Sequence, residues 1–194
     1  NVDFVVVADS VGDSSKISSG AIRDTKNPRD ILLAQQAAKV IINSGYFKNG
    51  FSIQTGSGGA SLAAVKFIRE SMIENNIVAD FALGGITAHM VKLHEEGLIK
   101  RLIDVQSFDK VAAESLRKNP MHKEVSANEY ASADEPGSAV HYLDIVILSA
   151  LEVDVNFNVN VLVGSDGIIR GAIGGHPDTA ADSALSIIVC PLLR

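Results

Sequence analysis

With 194 residues, 46% of them apolar, the chain can bury one ordinary core and fits one domain better than two. A formal charge of −6, with Lys and Arg scattered rather than gathered into a stripe, excludes the basic footprint of a nucleic-acid binder. The longest apolar runs, such as Ile145 to Ala150 and Leu185 to Cys190, fall far short of the roughly 18 residues a membrane span needs, so the expectation is a soluble protein with no membrane partner.

Taken in chain order, short runs rich in β-branched residues predict strands at residues 2–7, 51–55, 79–83, 100–104, 143–149, 158–163 and 185–190. Between them, Asn27-Pro28 caps a helix running to about Asn43, with Gly45 placed to end it. A second helix follows Gly59, because Leu62, Val65, Ile68 and Met72 recur at helical spacing while Lys66, Arg69 and Glu70 face away. A third runs from Thr87 to Glu96 and stops at Gly97. The stretch from Lys118 to Ser138 is polar and turn-rich and reads as a surface excursion, with room for a short helix near Lys123 to Tyr130. Strands alternating with helices predict an α/β fold: a three-layer, open, mainly parallel sheet flanked by helices.

Three segments carry candidate chemistry. In Gln54-Thr55-Gly56-Ser57-Gly58-Gly59-Ala60, an apolar strand runs through glycines directly into a helix, so that free amides can face an anion or a developing oxyanion. A tight turn with no ligand explains the same spacing, and the segment lacks both the Lys-Ser/Thr ending of a P-loop and the spacing of a dinucleotide fingerprint. In Ser149-Ala150-Leu151-Glu152-Val153-Asp154, a strand delivers Glu152 and Asp154 at its carboxyl end, where parallel sheets bind ligands. Glu152 is then either a nucleophilic carboxylate or a loop-capping acid. From Gly164 to Ala180, Ser165-Asp166-Gly167 suits a hairpin turn, and Gly174-Gly175 before His176-Pro177 reads as a glycine turn opening a helix. His176 either donates to a substrate carboxylate or lies in solvent. Arg170 either grips a carboxylate or is an exposed hairpin arginine. Gly84-Gly85, followed by Thr87 and His89, offers another such turn.

The remaining histidines form no metal pattern with one another or with Cys190, so no metal is expected. No Gly-x-Ser-x-Gly elbow is present, because Gly56-Ser57-Gly58 has its serine one residue too close to the first glycine. Cys190, the single cysteine, precludes an internal disulfide and reads as a buried structural thiol, which suits a reducing cytoplasm. No basic segment with an apolar core opens the chain, which argues against secretion. Asn1 leads at once into apolar residues, and Arg194 follows a similar run, an arrangement expected of a piece of a longer chain.

Taken together and in this order, Gly56 to Ala60, Ser149 to Asp154 with Asn158-Val159-Asn160, and Gly164 to Ala180 resemble the citrate lyase α subunit family. More distantly, Glu152-Val153-Asp154 and Gly174-Gly175 with Asp178 are similar to stretches of acetate-using CoA-transferases. The resemblance implies a CoA-transferase (NagB/RpiA-like) fold, with residues 1–194 forming one domain of a longer two-domain subunit. It implies Glu152 as the catalytic carboxylate, and Gly56, Ser57, Gly58, Gly59, Gly174, Gly175 and His176 as the substrate and thioester site. The implied reaction moves the acyl-carrier-protein thioester from acetate to citrate, giving citryl carrier protein and acetate. The thioester is carried on the phosphoribosyl-dephospho-CoA group of the carrier protein, and this chain itself binds no cofactor. Implied partners are the β subunit and the γ subunit, which is the carrier protein, in a homo- and hetero-oligomer. Two alternatives remain open: a CoA-transferase using free acetyl-CoA, and a non-catalytic sugar-phosphate sensor of related fold.

Overall fold

The computed structural model describes residues 2–13 and 25–192. Six parallel strands form one sheet in the order β4-β3-β2-β1-β5-β8, from β1 (Ser52–Thr55), β2 (Ala79–Ile86), β3 (Ile99–Ser107), β4 (His122–Glu124), β5 (Ile145–Ser149) and β8 (Leu185–Val189). A short antiparallel pair, β6 (Glu152–Val153) and β7 (Val159–Asn160), stands apart from it.

Because side chains alternate along a strand, a sheet covered on both faces needs apolar residues at every position. Ile53, Ala82, Ile145 and Ile147 point to one face, where α1 (Pro28–Ile42), α2 (Gly59–Asn75), α3 (Ala88–Glu95) and α4 (Lys110–Lys118) supply Ala34, Ile41, Ile68, Met72, Val91 and Ala112. Phe81, Leu83, Val146 and Leu148 point to the other, against Tyr130 of α5 (Ala127–Ala131), Val140 of a 3₁₀ turn (Ala139–Tyr142) and Ala180 of α6 (His176–Asp182). This is the expected three-layer α/β architecture.

The chain steps from β1 outward to β4 with its helices on the first face, then jumps back to β5 and continues to β8 with its helices on the second. Reversing direction along a sheet while changing faces is what a constant right-handed crossover requires. The reversal leaves β1 and β5 as neighbours whose chains depart in opposite directions. Their carboxyl ends therefore frame a crevice that no crossover covers.

Local signals fixed several boundaries. Asn27 Oδ1 accepts from the Arg29 amide at 3.0 Å with Pro28 in the first turn, so α1 starts where expected. Asp109 caps two helices: Oδ1 accepts from Ala112 of α4 at 2.8 Å and Oδ2 from Ala88 of α3 at 2.7 Å.

Three expectations need correction. Residues 2–7 form no strand: Val2, Phe4, Val5, Val6 and Val7 are 77–94% exposed, because β-propensity makes a strand only where a neighbouring ladder exists. The predicted strand at 158–163 shortens to Val159–Asn160, plus a bridge between Val163 and Ile169. The stretch from Lys118 to Ser138 is mostly exposed and carries the expected short helix as α5, but it is more than a solvated connection: it also supplies β4 and buries His122, Tyr130, Ala131 and Ser138.

Candidate functional site

A cavity of about 580 Å³ opens at the switch point. It is lined by Thr55 to Ala60 after β1, by Leu148 to Leu151 at the end of β5, and by Arg170 and Ala172 to His176 from the glycine-rich segment. Seven of the sequence-predicted residues, Gly56, Ser57, Gly58, Gly59, Gly174, Gly175 and His176, thus meet in one concavity although more than a hundred residues separate the two groups.

Each glycine answers a local constraint. The Gly56 amide donates to Ile147 O at 2.7 Å, extending the β1–β5 ladder by one residue, so this amide holds the loop rather than a ligand. Gly58 is the N-cap of α2 and has no side-chain cap, so that, among the described residues, the first turn of a 17-residue helix opens on the cavity without a capping side chain. A Cβ on Gly58 would overlap Ser149 Oγ, which itself hydrogen-bonds Ser61 Oγ at 2.9 Å. That bond fastens the start of α2 to the end of β5. Gly175, across the cavity, packs on the Tyr130 ring, where a Cβ would lie 2.6 Å from Cε1.

His176 does not lie free in solvent. Its Nε2–H donates to the Ser149 carbonyl at 3.1 Å, since a carbonyl oxygen only accepts, and this pins the glycine turn to β5. Cys190 is half-buried and lines the same cavity beside Pro191, so it is not the fully buried structural thiol expected.

Glu152 lies one residue beyond the lining, at the start of β6. Its Oε1 accepts from the Ser165 amide at 2.8 Å and the Ser165 hydroxyl at 2.6 Å, and Oε2 accepts from Asn160 Nδ2 at 3.3 Å. The carboxylate therefore clasps the hairpin around Ser165-Asp166-Gly167, where Gly167 takes φ +76° and Gly164 accepts its amide at 2.8 Å. Asp154, the other strand-end acid, accepts from the Asn158 side chain and from the Asn156 and Asn158 amides, all at 2.8 Å; these bonds, that to the Asn158 side chain foremost, hold it below the usual carboxylate range. It organises the β6–β7 turn and stands apart from the cavity. Arg170 lines the cavity but pairs with Asp166, whose carboxyl is lowered first by the Ile168 amide and then by Arg170.

The lining includes Gly85 of the weaker Gly84-Gly85 turn and adds residues outside the sequence-predicted set: Gln54, Gln106, Phe108 and Tyr130. Gln54 Nε2 donates to the Tyr130 hydroxyl at 2.8 Å, and burial pushes the Tyr130 phenol above its ordinary range. A signal for Gln54 did exist, since an amide in a four-residue strand buried throughout its length is hard to explain by packing. Tyr130 gave none, because its role depends on α5 packing on the sheet so that its hydroxyl meets Gln54 of β1.

The family model described as citrate lyase, alpha subunit (CitF) matches residues 1–194. The chain belongs to the citrate lyase α subunit family. It is 64% identical over 193 residues to the citrate lyase alpha chain of Haemophilus influenzae and 63% identical to that of Escherichia coli. These alignments cover all of this chain but only 39% and 38% of the relatives, so the chain spans about two-fifths of their length. Among solved structures, a putative citrate lyase α subunit from Streptococcus mutans, in complex with citrate, superposes with a TM-score of 0.93 at 57% identity, covering 100% of this chain and 38% of that one. A Pseudomonas malonate decarboxylase hetero-tetramer matches with a TM-score of 0.58 at 16% identity over 84% of this chain and 30% of that one, a likeness of fold. Among the described residues no helix is long and apolar enough to cross a membrane.

Proposed function

We propose that this chain supplies the acid- and thioester-binding wall of a citrate lyase α subunit, where acetyl on a carrier-protein thioester is exchanged for citryl. The observation that carries this reading is the convergence of the uncapped α2 N-terminus and the Gly174-Gly175 turn on one switch-point cavity. A citrate carboxylate attacks the thioester carbonyl, and the tetrahedral oxyanion faces the α2 amides. Collapse expels the thiolate and leaves an acetyl–citryl anhydride. The thiolate then attacks the citryl carbonyl, forming citryl thioester and releasing acetate.

Glu152 was the candidate catalytic carboxylate. In this reading its role is to position, because its Oε1 is engaged by Ser165 and it lies outside the cavity lining. Direct attack by citrate then needs no enzyme-bound acyl group. The carrier protein's thioester, the β subunit that cleaves the citryl product, and assembly with both belong to the same proposal.

The test uses acetyl-labelled carrier protein and a subunit of full family length. Citryl thioester should form only when citrate is added, and enzyme mixed with acetyl carrier protein alone should carry no label. Glu152→Gln should keep measurable activity, reduced by about 10- to 100-fold through loss of hairpin order. Label appearing on Glu152 would overturn the direct route. Activity on acetyl-CoA but none on carrier protein would make the protein a CoA-transferase instead.

A further inference from the structure

A run of apolar residues stands in water at the start of the chain. Val2, Phe4, Val5, Val6 and Val7 are 77–94% exposed, and among the described residues no ladder takes them up. Asp3 is the only charged residue among them. Left unpaired, six residues of high β-propensity with a single acid form an aggregation-prone segment.

The pattern of the run specifies the surroundings it needs. Side chains alternate between faces along a strand, so Phe4 and Val6 would cover one face and Val5 and Val7 the other. A strand with one wet face keeps polar residues on that side, and after Asp3 this run keeps none. Strand β5 is the standard within the same molecule. Its Ile145-Val146-Ile147-Leu148 has the same consecutive apolar pattern, and all four residues are at most 3% exposed, between β1 and β8 and with a core on each face.

The chain's own sheet has no second place of that kind. Its outer strands are β4, three residues long with Lys123 and Glu124 exposed, and β8, and pairing with either would give the run a neighbour on one side only. A second copy of the chain offers the same two edges and an equally unpaired run. Two such runs paired together make an isolated ribbon, which is marginally stable at best and has no cover over its faces. What is left is chain outside this one, since about three-fifths of the length of the curated relatives lies beyond it.

We propose that residues 2–7 are an inner strand of a second sheet, one covered on both faces and folded from that remainder of a family-length subunit. The contact is a shared sheet: backbone N–H and C=O groups pair with strands of the remainder, and Phe4, Val5, Val6 and Val7 enter the cores on its two faces.

Hydrogen exchange read by mass spectrometry on a subunit of full family length tests this without any substitution. Amides of residues 4–7 should exchange at least roughly 100-fold more slowly than an unstructured chain, in the range of Ile145 to Leu148, at every protein concentration. Exchange at the unstructured rate overturns the proposal. So does protection that fades on dilution, which assigns the run to a second copy, and so does protection that appears only when other subunits are added, which assigns it to them. Val6→Asp, which puts a charge into one of the two cores, should lower the unfolding midpoint of the same subunit by several degrees, and an unchanged midpoint overturns the proposal as well. If that variant fails to fold, exchange of the wild type decides alone. Neither readout involves acyl transfer, so failure here and failure of the transfer reading are seen separately.

Discussion

Replacing Gly175 with alanine tests whether the glycine turn is held by the aromatic ring behind it. The backbone there, at φ −83° and ψ 13°, accepts any L residue, so the cost falls on packing rather than on strain. The added Cβ would stand 2.6 Å from Tyr130 Cε1, 2.7 Å from its oxygen and 3.0 Å from Cζ. The ring has little room to retreat, being buried in the second core layer and hydrogen-bonded to Gln54. Overpacking of this kind costs about 1–3 kcal/mol. At about 2–4 °C per kcal/mol for a domain of this size, Tm should fall by roughly 2–12 °C in a thermal scan. Acyl transfer should fall as well, because the turn that lines the cavity is displaced. Alanine is also a poorer N-cap than glycine, and the double variant with Tyr130→Ala separates the two effects. Deleting the ring relieves the clash but not the cap, so a coupling of about 0.5–3 kcal/mol is expected. A Gly175→Ala protein as stable as wild type, or strict additivity in the cycle, would refute the argument.

Asp104 should be the costliest polar deletion in the sheet: it is buried and accepts from the Gln106 amide at 2.8 Å, Ser107 Oγ at 2.5 Å and His122 Nε2 at 3.1 Å. Asp104→Ala strands these donors, and urea unfolding should show a loss of about 3–5 kcal/mol, against under about 1 kcal/mol if the network is dispensable. On the surface of α4, Arg117 and then Lys118 hold the Glu114 carboxyl down to about 2. A depressed folded pKa means that any contribution from Glu114 is complete above the ordinary carboxylate range and disappears only as pH falls toward about 2. Carboxyl NMR titration of the double variant Arg117→Ala, Lys118→Ala should return Glu114 to the ordinary range, and a midpoint still near 2 would refute the assignment.

Much of the fold was legible because its signals are local. The apolar runs ending in glycine became β1 and β2, the 3.6-residue spacing of Leu62, Val65, Ile68 and Met72 became α2, and Asn27-Pro28 became the cap of α1. The run at residues 2–7 misled for the same reason: its propensity is local, but a strand is a pairing with something else. β4 was hidden by polar composition, since a three-residue edge strand is too short for periodicity to register, whereas the short helix expected near Lys123 to Tyr130 is present as α5 at Ala127–Ala131.

At the site, the sequence by itself singled out the glycine-rich segments that line the cavity, because a glycine turn at a strand end depends only on the residues of that turn. It did not determine what Glu152 does, because a carboxylate's role depends on its neighbours. The hairpin folds back to place the Ser165 hydroxyl 2.6 Å from the Glu152 carboxylate, a contact that no local pattern around either residue announces. Nor did it show that Gln54 of β1 and Tyr130 of α5, 76 residues apart, meet through a hydrogen bond, or that Thr179 of α6 ties back to the Gly175 carbonyl. Backbone conformation is set largely within a few residues, whereas proton donors and acceptors are matched across the core. Only the tertiary structure decides which of them meet.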